Sequence, residues 1–332
     1  MTRAAVVFPG RGSYTPASLG SLPPAHDWVR RADELRRGFG LQPLSEIDRA
    51  DAFDPAVHLR PINASPLTFV SSLLDAERIA GDHEVVVVVA SSTGWYTSLA
   101  ASGALDFDEA FRLVQEMAIG ANADLPGGVA ELIYPLSDEA WRPDPASATA
   151  LTAAFAGLNG DAHRAQELGP FAVVAGTREG IGRLAAQLPP VTVADRAYPV
   201  RLAMGDAWHT PLRSEAAEAA AARLADLAWQ RPSVTLVDGR GSRFTPWSTD
   251  PQALADYTLH EHPRTTYDFA TSFRVALREY APDVVLLPGP GATLGAACAQ
   301  IIVAEGYAGL RSRAEFEGTQ AGARPILLSV RR

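Results

Sequence analysis

The chain contains no lysine, so all 29 of its basic residues are arginine. With its abundance of alanine, this points to a GC-rich coding sequence rather than to a function. Cysteine is nearly absent as well. The single Cys298 excludes an internal disulfide and any cysteine-rich metal site. Long apolar runs are missing: nothing approaches the roughly 18 consecutive apolar residues that a membrane helix needs. The opening MTRAAVVFPGRGS breaks into Pro and Gly after a five-residue apolar run, which is not a signal-peptide pattern. Positive charge is in deficit, with a net charge of −9 that argues against nucleic acid as a bulk partner. These absences lead to the expectation of a soluble, cytoplasmic protein without metal, membrane or nucleic acid. An acidic partner could still dock on a local arginine patch.

What is present suits a large core, since 332 residues at 47% hydrophobic exceed the usual size of one domain and suggest two lobes. Continuous apolar runs at 4–8, 84–90, 171–177, 233–239 and 283–289 read as strands, most of them of the buried parallel kind. Segments 65–81, 106–121 and 211–229 between them carry helical spacing, giving an α/β pattern. Pro- and Gly-rich breaks at 124–145 and 188–200 bracket a smaller inserted lobe. The expected division is a large lobe of 1–126 and 198–332 and a small one of 127–197.

The run VVVVVASSTGW (85–95) places two serines between a strand and a helix. A serine on a sharp strand-to-helix turn can serve as a nucleophile, but the tight packing demands small residues two positions to either side. Ala90 and Gly94 meet that demand around Ser92, whereas Ser91 would need it of Val89 and Thr93. The following helix aims its free N–H groups at the site, which favours a developing oxyanion. An ordinary strand–turn–helix with capping serines accounts for this stretch equally well. A rival motif, PGPGATLG, superficially resembles a dinucleotide fingerprint. Its glycines, Gly289, Gly291 and Gly295, are misspaced, and too little chain follows for a full nucleotide-binding half.

Four segments, in order, resemble the malonyl-CoA:acyl carrier protein transacylases and the acyltransferase domains of polyketide synthases. FPGRGS (8–13) is similar to their FPGQGS, and ASSTGWYTSLAASGALDFDEAFRLV (90–114) to their GHSxGExxAxxxAGALsfedAlrLV. GDAWHTPL (205–212) is similar to their GxFHTPLM, and LLPGPGATLG (286–295) to their ELGPGxxLxxL. The resemblance implies an α/β fold with an α/β-hydrolase-like large subdomain and an inserted ferredoxin-like small one, the site lying between them. It implies Ser92 as the acylated nucleophile and His209 as its base. A main-chain carbonyl at or near Leu259 would orient His209, and the backbone N–H groups of Arg11 and Thr93 would form the oxyanion hole. Asn159 and Ser65 fall near positions that line the substrate gorge in the family. The other histidines, His26, His58, His83, His163, His260 and His262, read as surface or capping residues. No bound cofactor is implied beyond the phosphopantetheine of an acyl carrier protein, or coenzyme A, as acyl carrier.

The departures from the family pattern bear on the substrate. Malonyl-specific members carry an arginine in LVxxRG whose fork holds the malonyl carboxylate. Here the stretch is LVQEMA, with Met117 at that position and Glu116 beside it. Burying a carboxylate without its partner is costly, and Glu116 would repel it. Ser91 and Trp95 replace the family's His and Glu around the nucleophile, which also suggests an altered acyl pocket. The expected function is therefore transfer of a non-malonyl acyl group, such as an aminoacyl, peptidyl or starter chain, onto or between acyl carrier proteins in polyketide (antibiotic) biosynthesis. The alternatives are hydrolysis of acyl-carrier thioesters, a malonyl transacylase with a relocated cation, and a non-catalytic carrier-binding homologue.

Overall fold

The computed structural model describes residues 1–79, 81–203 and 205–330. Its main sheet has six strands. In spatial order they are Arg243–Phe244, Leu236–Val237, His83–Ala90, Thr2–Phe8, Val284–Leu287 and Leu327–Ser329, all parallel except the first pair. Successive side chains of a strand face opposite ways, and here both faces are buried. Ala4, Val6, Phe8, Val88 and Ala90 join one core, whereas Ala5, Val7, Val87 and Val89 join another. Helices Pro61–Ile79, Gly94–Ala101 and Phe107–Asn122 lie over the first face, and Phe269–Tyr280 and Gly295–Ala304 over the second. This double burial explains why the strands read as unbroken apolar runs. Among the described residues no helix is long and apolar enough to cross a membrane.

A second sheet has the order Tyr267–Asp268, Ala162–Glu167, Phe171–Thr177, Val129–Pro135, Val200–Arg201. Its last four strands pair antiparallel. With helices Pro145–Ala154 and Arg178–Gln187 they follow a β-α-β-β-α-β path, the ferredoxin-like arrangement. Two of its strands, Val200–Arg201 and Tyr267–Asp268, come from outside 127–197.

Several elements differ from the sequence expectation. The run 171–177 is a strand, but of the antiparallel sheet; 233–239 contributes only Leu236–Val237, and 211–229 a 3-10 turn, Pro211–Arg213, and one α-helix, Ser214–Arg223. Val129–Pro135 lies inside the Pro- and Gly-rich break and is nonetheless a central strand of the second sheet. Long-range pairing with Phe171–Thr177 over seven residue pairs overrides its weak local signal.

Candidate active site

The strand His83–Ala90 delivers the chain to Ser92, whose backbone takes the left-handed conformation at φ = 51°. A non-glycine residue sits there only when its surroundings hold it. Gly94 explains how the turn closes: a Cβ on it would stand 2.5 Å from the Phe8 carbonyl oxygen and 2.7 Å from that of Pro9. The loop after the first strand packs against the same turn, because a Cβ on Gly10 would lie 3.3 Å from the Ser91 carbonyl oxygen and 3.5 Å from Ser92 Cβ. Arg11 is thereby brought beside Ser92, and Thr93 lies next to it at the head of helix Gly94–Ala101.

His209 meets Ser92 across the cleft, with Nε2 2.8 Å from Ser92 Oγ. Its Nδ1 lies 2.7 Å from the His262 carbonyl oxygen, and its own backbone N–H donates to the Pro263 carbonyl at 2.8 Å. Nδ1 therefore carries the proton, leaving Nε2 to accept from the serine hydroxyl. The orienting carbonyl belongs to His262 and not to Leu259. The reason is a π-helical turn over Tyr257–Glu261, in which the His262 N–H reaches back five residues to the Tyr257 carbonyl. That turn buries Leu259 in the core and moves the useful carbonyl three residues on.

His262 and His58 are likewise not surface residues: each is 1% exposed. His58 Nδ1 accepts the N–H of Asp54, the residue that caps its helix, at 3.0 Å, and Nε2 donates to the Ile47 carbonyl at 3.0 Å, so it is a buried capping residue. His262 packs edge-on against Tyr96 and Tyr267 at 5.2 Å. Trp95 is fully buried beside this ring and donates from Nε1 to Thr258 Oγ1 at 3.0 Å, so it fastens the elbow helix to the π-helical turn and does not line the acyl pocket. Asn159 is exposed, in a left-handed turn of the second lobe ahead of strand Ala162–Glu167, and lines neither cavity at Ser92. Its turn-forming backbone explains the residue type.

Two cavities meet at Ser92, His209 and Trp208. The inner one is bounded by Ser65, Tyr96, Val114, Met117 and Ala118 and holds about 10 Å³, room for about one water. The outer cleft holds about 490 Å³ and is lined by Ile133 and Val173 of the second sheet, by Leu202 and Tyr198, and by the exposed Arg196. Met117 and Ser65 therefore belong to the inner chamber. Glu116 does not: it accepts a hydrogen bond from Arg223 Nε at 2.6 Å on the far side of its helix, so it exerts no direct repulsion on an acyl group.

The walls of the cleft near His209 are ionic. Arg11 Nε lies 2.6 Å from Asp206 Oδ2, and its Nη2 3.5 Å from Glu131 Oε2. Burial pushes Glu131 up to about 7, helped by the Asp206 charge and opposed by Arg11 and two backbone N–H groups. Burial also holds His209 below its ordinary 6.5, against the pull of the His262 carbonyl and Asp206. The base must be neutral to act, so the rate of acyl-enzyme formation is expected to survive a fall in pH through 6.5 and to drop only at the lower value held by His209. Rapid-quench acylation measured against pH checks this, and an acid limb centred above 6.5 would contradict it.

No family model matches the chain. The malonyl CoA-acyl carrier protein transacylase of Escherichia coli (strain K12) is 25% identical over 250 residues, which cover 72% of this chain and 74% of that one. The acyl-carrier-protein S-malonyltransferase of Burkholderia pseudomallei superposes with a TM-score of 0.75 at 21% identity, over 99% of this chain and 96% of that one. A malonyl-transacylase in complex with a type II PKS acyl-carrier protein superposes with a TM-score of 0.72 at 18% identity, over 91% and 93%. The chain is a homologue, at weak identity, of the malonyl-CoA–acyl carrier protein transacylases, and it has their fold.

Proposed function

We propose that the protein is an acyltransferase that passes a non-malonyl acyl group onto or between acyl carrier proteins through an ester on Ser92. The observation that carries this reading is the Ser92–His209–His262 carbonyl relay, which opens on an inner chamber lined by no arginine among the described residues. His209 Nε2 takes the proton of the Ser92 hydroxyl as Oγ attacks the thioester carbonyl. The oxyanion so formed faces the backbone N–H groups of Arg11 and Thr93, and the imidazolium is stabilised by the His262 carbonyl. His209 then returns the proton to the departing phosphopantetheine (or coenzyme A) thiolate. In the second half, the thiol of an acceptor carrier gives its proton to His209 and attacks the Ser92 ester; the Oγ–acyl bond breaks, His209 returns the proton to Ser92 Oγ, and the acyl group leaves as the carrier thioester. The outer cleft has the size for the pantetheine arm, whose carrier would dock at its mouth.

A relocated malonyl-binding cation at the inner chamber is disfavoured by where the buried arginines near His209 are spent, while the exposed Arg196 lines the outer cleft and not that chamber. Arg11 is taken by Asp206 and Glu131, and the buried Arg213 by the carbonyls of Asp206, Ala123 and Ala121. We further propose that residues 127–197 supply the body of the small lobe, with Val200–Arg201 completing its sheet from beyond that range, and that the protein works in the cytoplasm in polyketide (antibiotic) assembly. The test incubates the enzyme with a carrier bearing a non-carboxylated acyl chain and with a second, distinguishable holo-carrier. Acyl on the acceptor is the expected result; release as free acid would make the protein a hydrolase.

A further inference from the structure

The residue that departs from the family's glutamine in FPGRGS has a defined use in this structure. Arg11 leaves the loop that packs on Ser92 and meets two carboxylates, Asp206 and Glu131, which come from different parts of the chain. Asp206 begins the turn that carries His209, and Glu131 projects from the strand Val129–Pro135 of the second sheet. Each carboxylate also holds main chain of that turn. Asp206 Oδ1 accepts the Trp208 N–H at 2.9 Å, and Glu131 Oε1 accepts the Asp206 and Ala207 N–H groups at 2.8 and 2.9 Å. The turn needs holding, because Ala207 and His209 both adopt left-handed conformations, at φ = 56° and 63°. Glu131 and Asp206 are each 5% exposed, so these contacts are shielded from competing water.

We propose that Arg11, Asp206 and Glu131 are positioning residues that lock the oxyanion loop, the histidine turn and the second lobe into one catalytic register. The proposal rests on the Ser92–His209 reading given above. In this arrangement Glu131 fixes the backbone of the histidine turn, Asp206 joins that turn to Arg11, and Arg11 ties both to the loop beside Ser92. The other charged groups facing the cluster are Arg213, which donates to the Asp206 carbonyl, and Asp124 near Arg213. Those facing His209 are Asp206, Arg11 and the neutral rings of His262 and Tyr267. Asp206 favours protonation of His209 and Arg11 opposes it, so the two partners of one ion pair act on the base with opposite sign.

The experiment measures acylation of Ser92 by an acyl thioester in Glu131→Ala, Glu131→Gln, Asp206→Asn and Arg11→Gln, with circular dichroism to count folded protein. Glu131→Ala removes the acceptor of two N–H groups and is expected to lower kcat about 10- to 100-fold with little change in KM, as a displaced catalytic group does. Glu131→Gln keeps an oxygen acceptor and should recover most of that loss. Asp206→Asn should move the acid limb of the pH profile down and Arg11→Gln should move it up. Equal activities in all four variants, or losses that track only the unfolded fraction with an unmoved pH profile, would overturn the proposal. Acylation that persists in Ser92→Ala would overturn the underlying reading instead, so the two failures are distinguishable.

Discussion

Ser92→Ala is expected to abolish the mass increment that a suitable acyl thioester leaves on the protein, and His209→Ala to slow its appearance by on the order of 10⁴- to 10⁶-fold. The two effects share a cause, because the hydroxyl is a poor nucleophile until Nε2, 2.8 Å away, removes its proton. The orienting group gives the dyad a further property. In a triad the base is aligned by a carboxylate whose conversion to an amide inverts the tautomer and costs about 10⁴-fold. Here Nδ1–H donates to the main-chain carbonyl of His262, which no side-chain substitution can remove. Intact-protein mass spectrometry after brief exposure to the thioester checks both variants. Acylation of Ser92→Ala at the wild-type rate would place the ester elsewhere.

Sequence carried the elbow because its signal is local. Ala90, Ser92 and Gly94 must be small or nucleophilic for steric reasons that act within five residues, and the close approach of Gly94 to Phe8 and Pro9 is that requirement in three dimensions. The parallel strands were legible for a related reason, since burial on both faces leaves a run of valines. The small lobe was less so. Strand Ala162–Glu167 is mostly polar and Val129–Pro135 contains a buried glutamate, so only their pairing with Phe171–Thr177 makes them strands. The same gap hid the ionic cluster: Arg11, Glu131 and Asp206 lie 120 and 195 positions apart in sequence and carry no shared motif. The shift from Leu259 to His262 had no local signal either, because it depends on a single π-helical turn. Asn159 marks the opposite error, where a residue type suited to a substrate gorge serves an exposed left-handed turn.

Malonyl-CoA is expected to load Ser92 more slowly than a non-carboxylated acyl thioester by about thirty- to several-thousand-fold. That is the worth of a charge-assisted bidentate pair of about 2 to 5 kcal/mol. A malonyl carboxylate turned towards the inner chamber would meet the thioether of Met117 and neutral groups such as Ser65 and Tyr96, and no arginine among the described residues. An arginine placed at position 117 alone is not expected to confer malonyl transfer. Met117 is 1% exposed and the chamber holds about 10 Å³, so a guanidinium placed there must push against Trp208 or remain buried without a partner. Trp208 stands where the resembling motif has phenylalanine, and its ring packs against helix Phe107–Asn122: a Cβ on Gly120 would lie 3.3 Å from Trp208 Cζ2. The single variant Met117→Arg is therefore expected to melt at lower temperature and to gain little malonylation. Met117→Arg with Trp208→Phe frees volume next to the new cation and should shift preference toward malonyl-CoA by tenfold or more, at about 1.4 kcal/mol per decade. Parallel loading assays with the two thioesters on wild type and both variants read this directly. Rapid, stoichiometric malonylation of the wild-type protein would mean that a cation outside the inner chamber reaches the carboxylate, and the substrate assignment would fall with it.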